Sequence, residues 1–600
     1  MTQHITSGRI RTTRTSRAIF MASALTLGGI SAETIQELDE LIVSATRMPG
    51  EASKTSSAVT ALDPRDLEER GMLDLRQALN EVPGVNATST SGQTGAIGSV
   101  FIRGTTTSYS QLVVDGVRLS DSTAALGNFF SGARLDDFGR IEVLRGAQAA
   151  IHGGEAVGGV IWLETARGEG DPRTRLRVEG GSFDSLNGYL SHSGKEGPFS
   201  WFVGGGYDGT HNDENLQDFD QSRAALRMEW AQSENLTLGM TYRASDSRYK
   251  YQNFGTNTDH TDSELATVYA DAQLAPGWLA RFTLGRYRES YDNDSAFPFG
   301  TDLDRTVLSM DHSYEINHHH RILGGAFIER SDFTNSYGVD ADENRYGTHL
   351  GWEWKPLESV VTDAVVRWED YADYDDQVTW RIGASWQAVE TTRLRAGVGK
   401  AFRTPPFLDL YGQPGISQPG NPNLAAEESI GWDIGIEQRL GEKHMISATW
   451  FENSIDNRIL SPFGIPPVNL PGDTPTRGLE FALDGALSES VDYRLSWTWL
   501  DASLQDQPEN TATASIDWRP MEKVLLGVGA SYVDERSYGG SPLNDYLLLR
   551  LYGSYAVREN ITLHARVENL ADQGYELSNF FGTRIQGAGL GFYTGVTAEF

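Results

Sequence analysis

The sequence predicts a membrane β fold: a 22-stranded antiparallel transmembrane β-barrel occluded by an N-terminal α/β plug. Three observations lead there. From about Arg173 to Phe600, apolar residues alternate with small or polar ones at period two. The connections between these segments are short and long in turn. Ahead of them lies Leu112 to Val160, a stretch of brief apolar runs that each stop at a glycine.

Composition narrows the class. The chain has 600 residues, of which 39% are hydrophobic, with 64 glycines, 23 tyrosines, 14 tryptophans and no cysteine. Mean hydropathy is -0.40. That excludes a helical membrane bundle, which needs apolar spans of roughly 20 residues. It admits a membrane barrel, whose alternating strands average to modest hydropathy. A formal net charge of -32 excludes nucleic acid as a partner. Without cysteine there are no disulfides, thiolate metal sites or thiol nucleophiles.

Residues 1–32 are expected to be a secretory signal. Arg9, Arg11, Arg14 and Arg17 precede an apolar run from Ala18 that ends in small residues at Ala32. Residues 33–50 form a tether, in which Leu41-Ile42-Val43 follows two acids. This run suits either donation of a strand edge to another protein or the first strand of the domain. Residues 51–168 are the plug. Asp63-Pro64 starts a helix, Leu75, Leu79 and Val82 carry its apolar face, and Pro83-Gly84 ends it. Ser99 to Gly104 reads as a strand, and Ser120 to Phe130 as a loop. Ile141 to Leu144 and Val160 to Trp162 are further strands.

Residues 169–600 are the barrel. Leu236 to Arg243, Leu495 to Trp499 and Leu526 to Tyr532 each place one apolar or aromatic face opposite a small or polar one. Roughly 22 such segments of about 10 to 16 residues can be laid out, an even number that closes a barrel of the plugged size. Short turns at Lys195 to Pro198, Ala275 to Gly277 and Glu390 to Thr392 alternate with long connections such as Lys250 to Ser263 and Thr404 to Ala426. That asymmetry separates a periplasmic rim from an extracellular one. His318-His319-His320 falls in a short turn and is read as solvated.

Several blocks carry a family resemblance. Phe101-Ile102-Arg103-Gly104, Val114-Asp115-Gly116-Val117 and Ile141 to Ile161 resemble the plug signatures of TonB-dependent outer-membrane receptors. Lys400 to Pro405, Gly420 to Leu424 with Glu427, and Asn569 to Asp572 with Tyr575-Glu576 resemble the late barrel motifs. The chain departs from the pattern at Ala147, where proline is usual, and at His152, where an aromatic is usual. The resemblance implies an outer-membrane, monomeric receptor that is not an enzyme. It implies active uptake powered by the TonB-ExbB-ExbD complex of the inner membrane. Asp39, Glu40, Leu41, Ile42, Val43, Ser44, Ala45 and Thr46 resemble the Ton box, which pairs with TonB by strand addition.

Within the family, the spacing from Ser99 through Leu119 is most similar to the cobalamin receptors. By that resemblance the ligand touches Ile97, Gly98 and Ser99 on one plug loop and Ser120, Asp121, Ser122 and Thr123 on the next. Calcium is expected with Asp208, Asp213, Glu214, Asp218 and Asp220, hard oxygen ligands in an early extracellular loop. No cofactor is required otherwise. The alternative ligand is a ferric siderophore, with Tyr249 and Tyr251 as contacts. Arg103 and Arg145 end plug strands. In the family such arginines pair with barrel glutamates, and Glu568 is the expected partner. From other classes, a porin would need neither plug nor Ton box. A barrel hydrolase would need a nucleophile, histidine and acid in a motif that does not stand out.

Overall fold

The computed structural model describes residues 41–600 except 90–91, 120–124, 214–216, 253–254, 372–374, 414, 416, 463, 503–506, 539 and 581–582. The signal segment, Asp39, Glu40, Ser120, Asp121, Ser122, Thr123 and Glu214 therefore lie outside the described residues.

The apolar runs of the N-terminal region assemble a five-stranded sheet. Its order is Ala58–Leu62, Phe138–Arg145, Gly159–Thr165, Ser110–Val114 and Val117–Arg118. Ser110–Val114 runs parallel to Gly159–Thr165, while the other neighbours are antiparallel. A hairpin of Val85–Ser89 and Gly98–Ile102 stands apart from the sheet. Leu75, Leu79, Val100, Ile102, Leu112, Val114, Ile141 and Leu163 share one buried cluster. Fully burying such a side chain stabilises by about 1.5–3 kcal/mol.

The single helix expected from Asp63 to Pro83 is two short ones, Pro64–Glu69 and Leu75–Leu79. Gly71 at φ 74° turns the chain out of the first helix. Asp74 then caps the second by accepting from the Arg76 N–H at 2.8 Å. The expected loop Ser120 to Phe130 is also corrected, because Ala125–Gly132 is helical. Phe130 drives this, buried in the plug core at the edge of a polar run.

The period-two segments close into one barrel of 22 antiparallel strands, from Arg173–Gly181 to Gly591–Glu599. The ring closes where Leu176 pairs with Ala598. Burial is inverted relative to a soluble sandwich. Leu238, Met240, Leu308 and Leu350 are exposed, while Thr241, Arg305, Ser309 and Glu329 are buried. Apolar side chains face lipid and polar ones face a filled lumen. Trp278, Tyr314, Trp352 and Trp354 lie beside the short turns, where amphipathic rings suit the lipid boundary. None of the helices in the described residues is long and apolar enough to cross a membrane. The connection expected as a loop from Lys250 to Ser263 is mostly strand, with Tyr251 pairing Asn257.

Candidate functional site

Three groups of lumen residues follow from this architecture: a stowed tether at the base, ionic contacts between plug and wall, and a polar cavity beside the plug.

The tether first. Leu41–Ile42 pairs antiparallel with Gly50–Glu51, so the chain doubles back beneath the plug. Ile42, Val43 and Ala45 are buried against Tyr109, Ala149 and Trp162. The backbone is held by two side chains. Glu142 accepts from the Val43 N–H at 3.1 Å and the Ser44 N–H at 2.8 Å. His152 Nε2 lies 2.7 Å from the Ser44 carbonyl. Burial, reinforced by the nearby Arg47 charge, pushes His152 down to about 3, so it is neutral and donates there. Arg47 bonds Asp311 on the wall strand Phe299–Asn317 at 3.1 Å.

The contacts to the wall begin at the motif arginines. Arg103 has φ 52° and Gly104 φ 78°, a left-handed turn that costs a non-glycine residue roughly 1 kcal/mol or more. The turn aims the guanidinium outward. It donates to Glu480 at 2.8 and 3.1 Å and to Asp433 at 3.1 Å. Burial opposes the Arg103 charge, but Glu480 and Asp433 outweigh it and raise its pKa. Arg145 shares Glu480 at a longer 3.6 Å and donates to the Pro83 carbonyl at 2.6 Å. With less compensation, burial pulls Arg145 down to about 10.

Glu568 is corrected as their partner. It lies 3.4 Å from Arg550 and 3.3 Å from Arg566, at the end of the strand Ile561–Glu568. Barrel closure puts Thr474–Ser488 beside Arg103 and carries Glu568 to neighbouring arginines of its own wall.

Further contacts escaped sequence reading. Arg118 bridges Glu155 of the plug and Glu329 of the wall. Arg345 then joins Glu329 to Glu369, and Thr404 Oγ1 bonds Glu155 at 3.2 Å. Asp136 holds Arg177 and Arg223, and Asp137 accepts from Arg243 at 3.1 Å. The signal was present in the strand alternation: Arg177, Arg223, Arg243, Arg345 and Arg367 all occupy lumen-facing positions, where charge needs a partner. Asp115, at φ 50°, accepts from the Thr165 N–H at 2.8 Å, which accounts for Val114-Asp115-Gly116 as a turn motif.

At the apex, Tyr249 and Tyr251 point into the lumen and stack at 5.1 Å. Tyr249 is buried with Ala96 and Phe219, and its hydroxyl donates to Gln217. Both rings therefore support the plug loop at 92–96. Ile97 is half-buried, and Ser99 lies on the strand Gly98–Ile102. Gly98 presents no free surface: a Cβ there would sit 2.8 Å from Phe130 Cβ.

The acids expected to hold calcium are dispersed, because strand alternation sends them to opposite faces. Asp208 is buried in the lumen with Arg134 and Arg223. Asp218 and Asp220 face outward, paired with Lys250 and Arg248. Asp213 accepts from the Gly589 N–H at 2.8 Å. Among the described residues no three acids or histidines converge as a metal site.

A cavity of about 410 Å³ lies between one side of the plug and the barrel strands from Val491–Ala502 to Gly591–Glu599. Asn86, Thr88, Ser89 and Gln93 line its plug side near the apex, and Thr511, Thr513 and Ser531 its wall. Its arginines are engaged: Arg76 with Asp74, Arg134 with Asp208, Arg550 with Glu568 and Arg566 with Glu179.

Comparison with known proteins matches this architecture. A family described as TonB dependent receptor-like, beta-barrel, matches residues 164–570, and the TonB-dependent Receptor Plug Domain matches residues 51–160. The vitamin B12 transporter BtuB of Vibrio vulnificus is 26% identical over 634 residues, covering 97% of this chain and 99% of that protein. BtuB of Photobacterium profundum is 24% identical over 583 residues, covering 90% and 92%. Among solved structures, the ferric enterobactin receptor PfeA of Pseudomonas aeruginosa superposes with a TM-score of 0.78 at 18% identity, covering 91% of this chain and all of that one. The siderophore receptor PiuA of Acinetobacter baumannii gives 0.79 at 15% identity, covering 94% and 99%. At those identities the superpositions bear on the fold.

Proposed function

Because the chain belongs to the TonB-dependent receptor family of the outer membrane, we propose that it carries a cobalamin-type corrinoid across that membrane. The family consists of receptors and transporters rather than enzymes, and its transport is coupled to TonB. The corrinoid reading rests on the lining of the large cavity. Apart from its ion-paired side chains, its polar groups are neutral hydroxyls and amides, and its arginines are matched by carboxylates. A macrocycle fringed with amide groups finds donors and acceptors there. A highly anionic iron chelate would need uncompensated cations to offset its desolvation. The full-length likeness to two vitamin B12 transporters supports the same substrate.

The proposed cycle uses these parts in turn. Ligand enters from outside onto the plug apex. Residues Asp39 to Thr46 serve as the Ton box and pair with TonB of a TonB-ExbB-ExbD complex once freed from Glu142 and His152. In this reading the receptor works as a monomer, one closed barrel holding one plug. Calorimetry of the purified receptor with cyanocobalamin and with a ferric catecholate tests the substrate, with and without calcium. Saturable cyanocobalamin binding is expected. Binding of the iron chelate alone would replace the corrinoid with a siderophore.

A further inference from the structure

The plug is not held equally on all sides. Arg103, Arg118, Asp136 and Arg47 fix it by ion pairs to strands between Arg173–Gly181 and Thr474–Ser488. Among the described residues, the ion pairs to the remaining wall, Val491–Ala502 onward, come from Asp66, Glu69 and Arg70 at the base of the plug. Above them that wall presents Thr511, Thr513 and Ser531 to the cavity, beside the larger Tyr532, Tyr546 and Leu548 and the ion-paired Arg550 and Arg566. The hydroxyl side chains of Thr511, Thr513 and Ser531 are short and uncharged, and the two arginines are matched by Glu568 and Glu179. Such a surface offers many weak contacts, the condition for a solute to enter and also to leave.

The lower end of the cavity is closed around one buried side chain. Arg70 donates to Glu81 at 2.6 Å and to Ser515 at 3.0 Å, with Asp517 at 3.9 Å. Arg550 donates to the Arg70 carbonyl at 2.7 Å, and Tyr552 donates to Asp517. Plug and wall meet here through the Arg70 guanidinium and its carboxylates, the Arg550 bond to the Arg70 carbonyl, and the pairs Asp66–Arg494 and Glu69–Arg519.

We propose that this hydroxyl-lined side of the lumen is the transit path for a neutral, polar ligand and that Arg70 is its lower gate. The path rests on the transport reading above but not on the identity of the ligand. Displacing Arg70 opens the cavity downward while the plug contacts at Arg103, Arg118 and Asp136 remain.

The test uses the full chain in liposomes without ligand, with efflux of entrapped sucrose as the readout. Arg70→Ala should raise efflux at least tenfold over the parent protein. Ser531→Trp, which narrows the cavity above the gate, should lower the efflux of the Arg70→Ala protein toward the parent rate. Glu81→Gln keeps Arg70 but removes the charge of its shortest partner and should leak to a smaller degree, which covers the case in which Arg70→Ala fails to fold. No leak in either variant, or a leak that Ser531→Trp leaves unchanged, would overturn the path. Failure of cyanocobalamin to bind would overturn the substrate and leave the sucrose result standing.

Discussion

Glu480 carries the test of how the plug is held. It accepts two hydrogen bonds from Arg103 and stands 3.6 Å from Arg145, with all three side chains buried. Glu480→Ala leaves Arg103 with Asp433 alone and leaves Arg145 with neutral partners. Removing one side of a buried pair costs about 3–5 kcal/mol, because the remaining charge is desolvated without compensation. Asp433 stays in place, so the lower end applies, and about 3 kcal/mol is a roughly 150-fold shift toward local opening. Hydrogen exchange read at the amides of residues 98–104 and 141–146 measures this opening directly. Protection there should fall about a hundredfold, while amides of the barrel strands opposite, such as 240–248, stay as they were. Arg103→Met combined with Glu480→Met removes the closest pair of charges and should recover part of the protection, the remainder being the cost at Arg145, which still lacks its carboxylate. Protection within twofold of the parent in Glu480→Ala would refute the ionic account of plug retention.

Deleting Asp39 to Thr46 should abolish cyanocobalamin uptake by whole cells while calorimetry shows unchanged binding; uptake at the parent rate would remove the Ton-box assignment. Glu142→Gln weakens the acceptor for the Val43 and Ser44 N–H groups, so exchange at residues 42–46 should quicken by about tenfold, with no change at the apex. Acidification should loosen the plug. His152 is depressed to about 3 in the fold and takes up protons near 6.5 when released, so the open form binds more protons between those values. Its stabilising effect is therefore full above about pH 6.5 and falls by roughly 1.4 kcal/mol per unit below it. Proteolysis of the plug from pH 7.5 to 4.5 reads this, and His152→Gln should flatten the slope; equal slopes would exclude His152 as the cause.

The sequence by itself determined the architecture. Period-two alternation is set residue by residue, and 22 such segments with short and long connections leave a closed barrel as the solution. Glycines after short apolar runs marked the plug, and the Arg103-Gly104 turn needed only local backbone preference to be visible. What only the tertiary structure decided was which charge meets which. Arg103 and Glu480 are 377 positions apart, and their meeting depends on strand tilt and on ring closure. The same cause moved Glu568 to Arg550 and split Asp208 from Asp218 and Asp220 across the wall. Local periodicity states that a side chain faces the lumen. The partner it finds there is fixed by contacts summed around the whole barrel, a quantity no short stretch of chain contains.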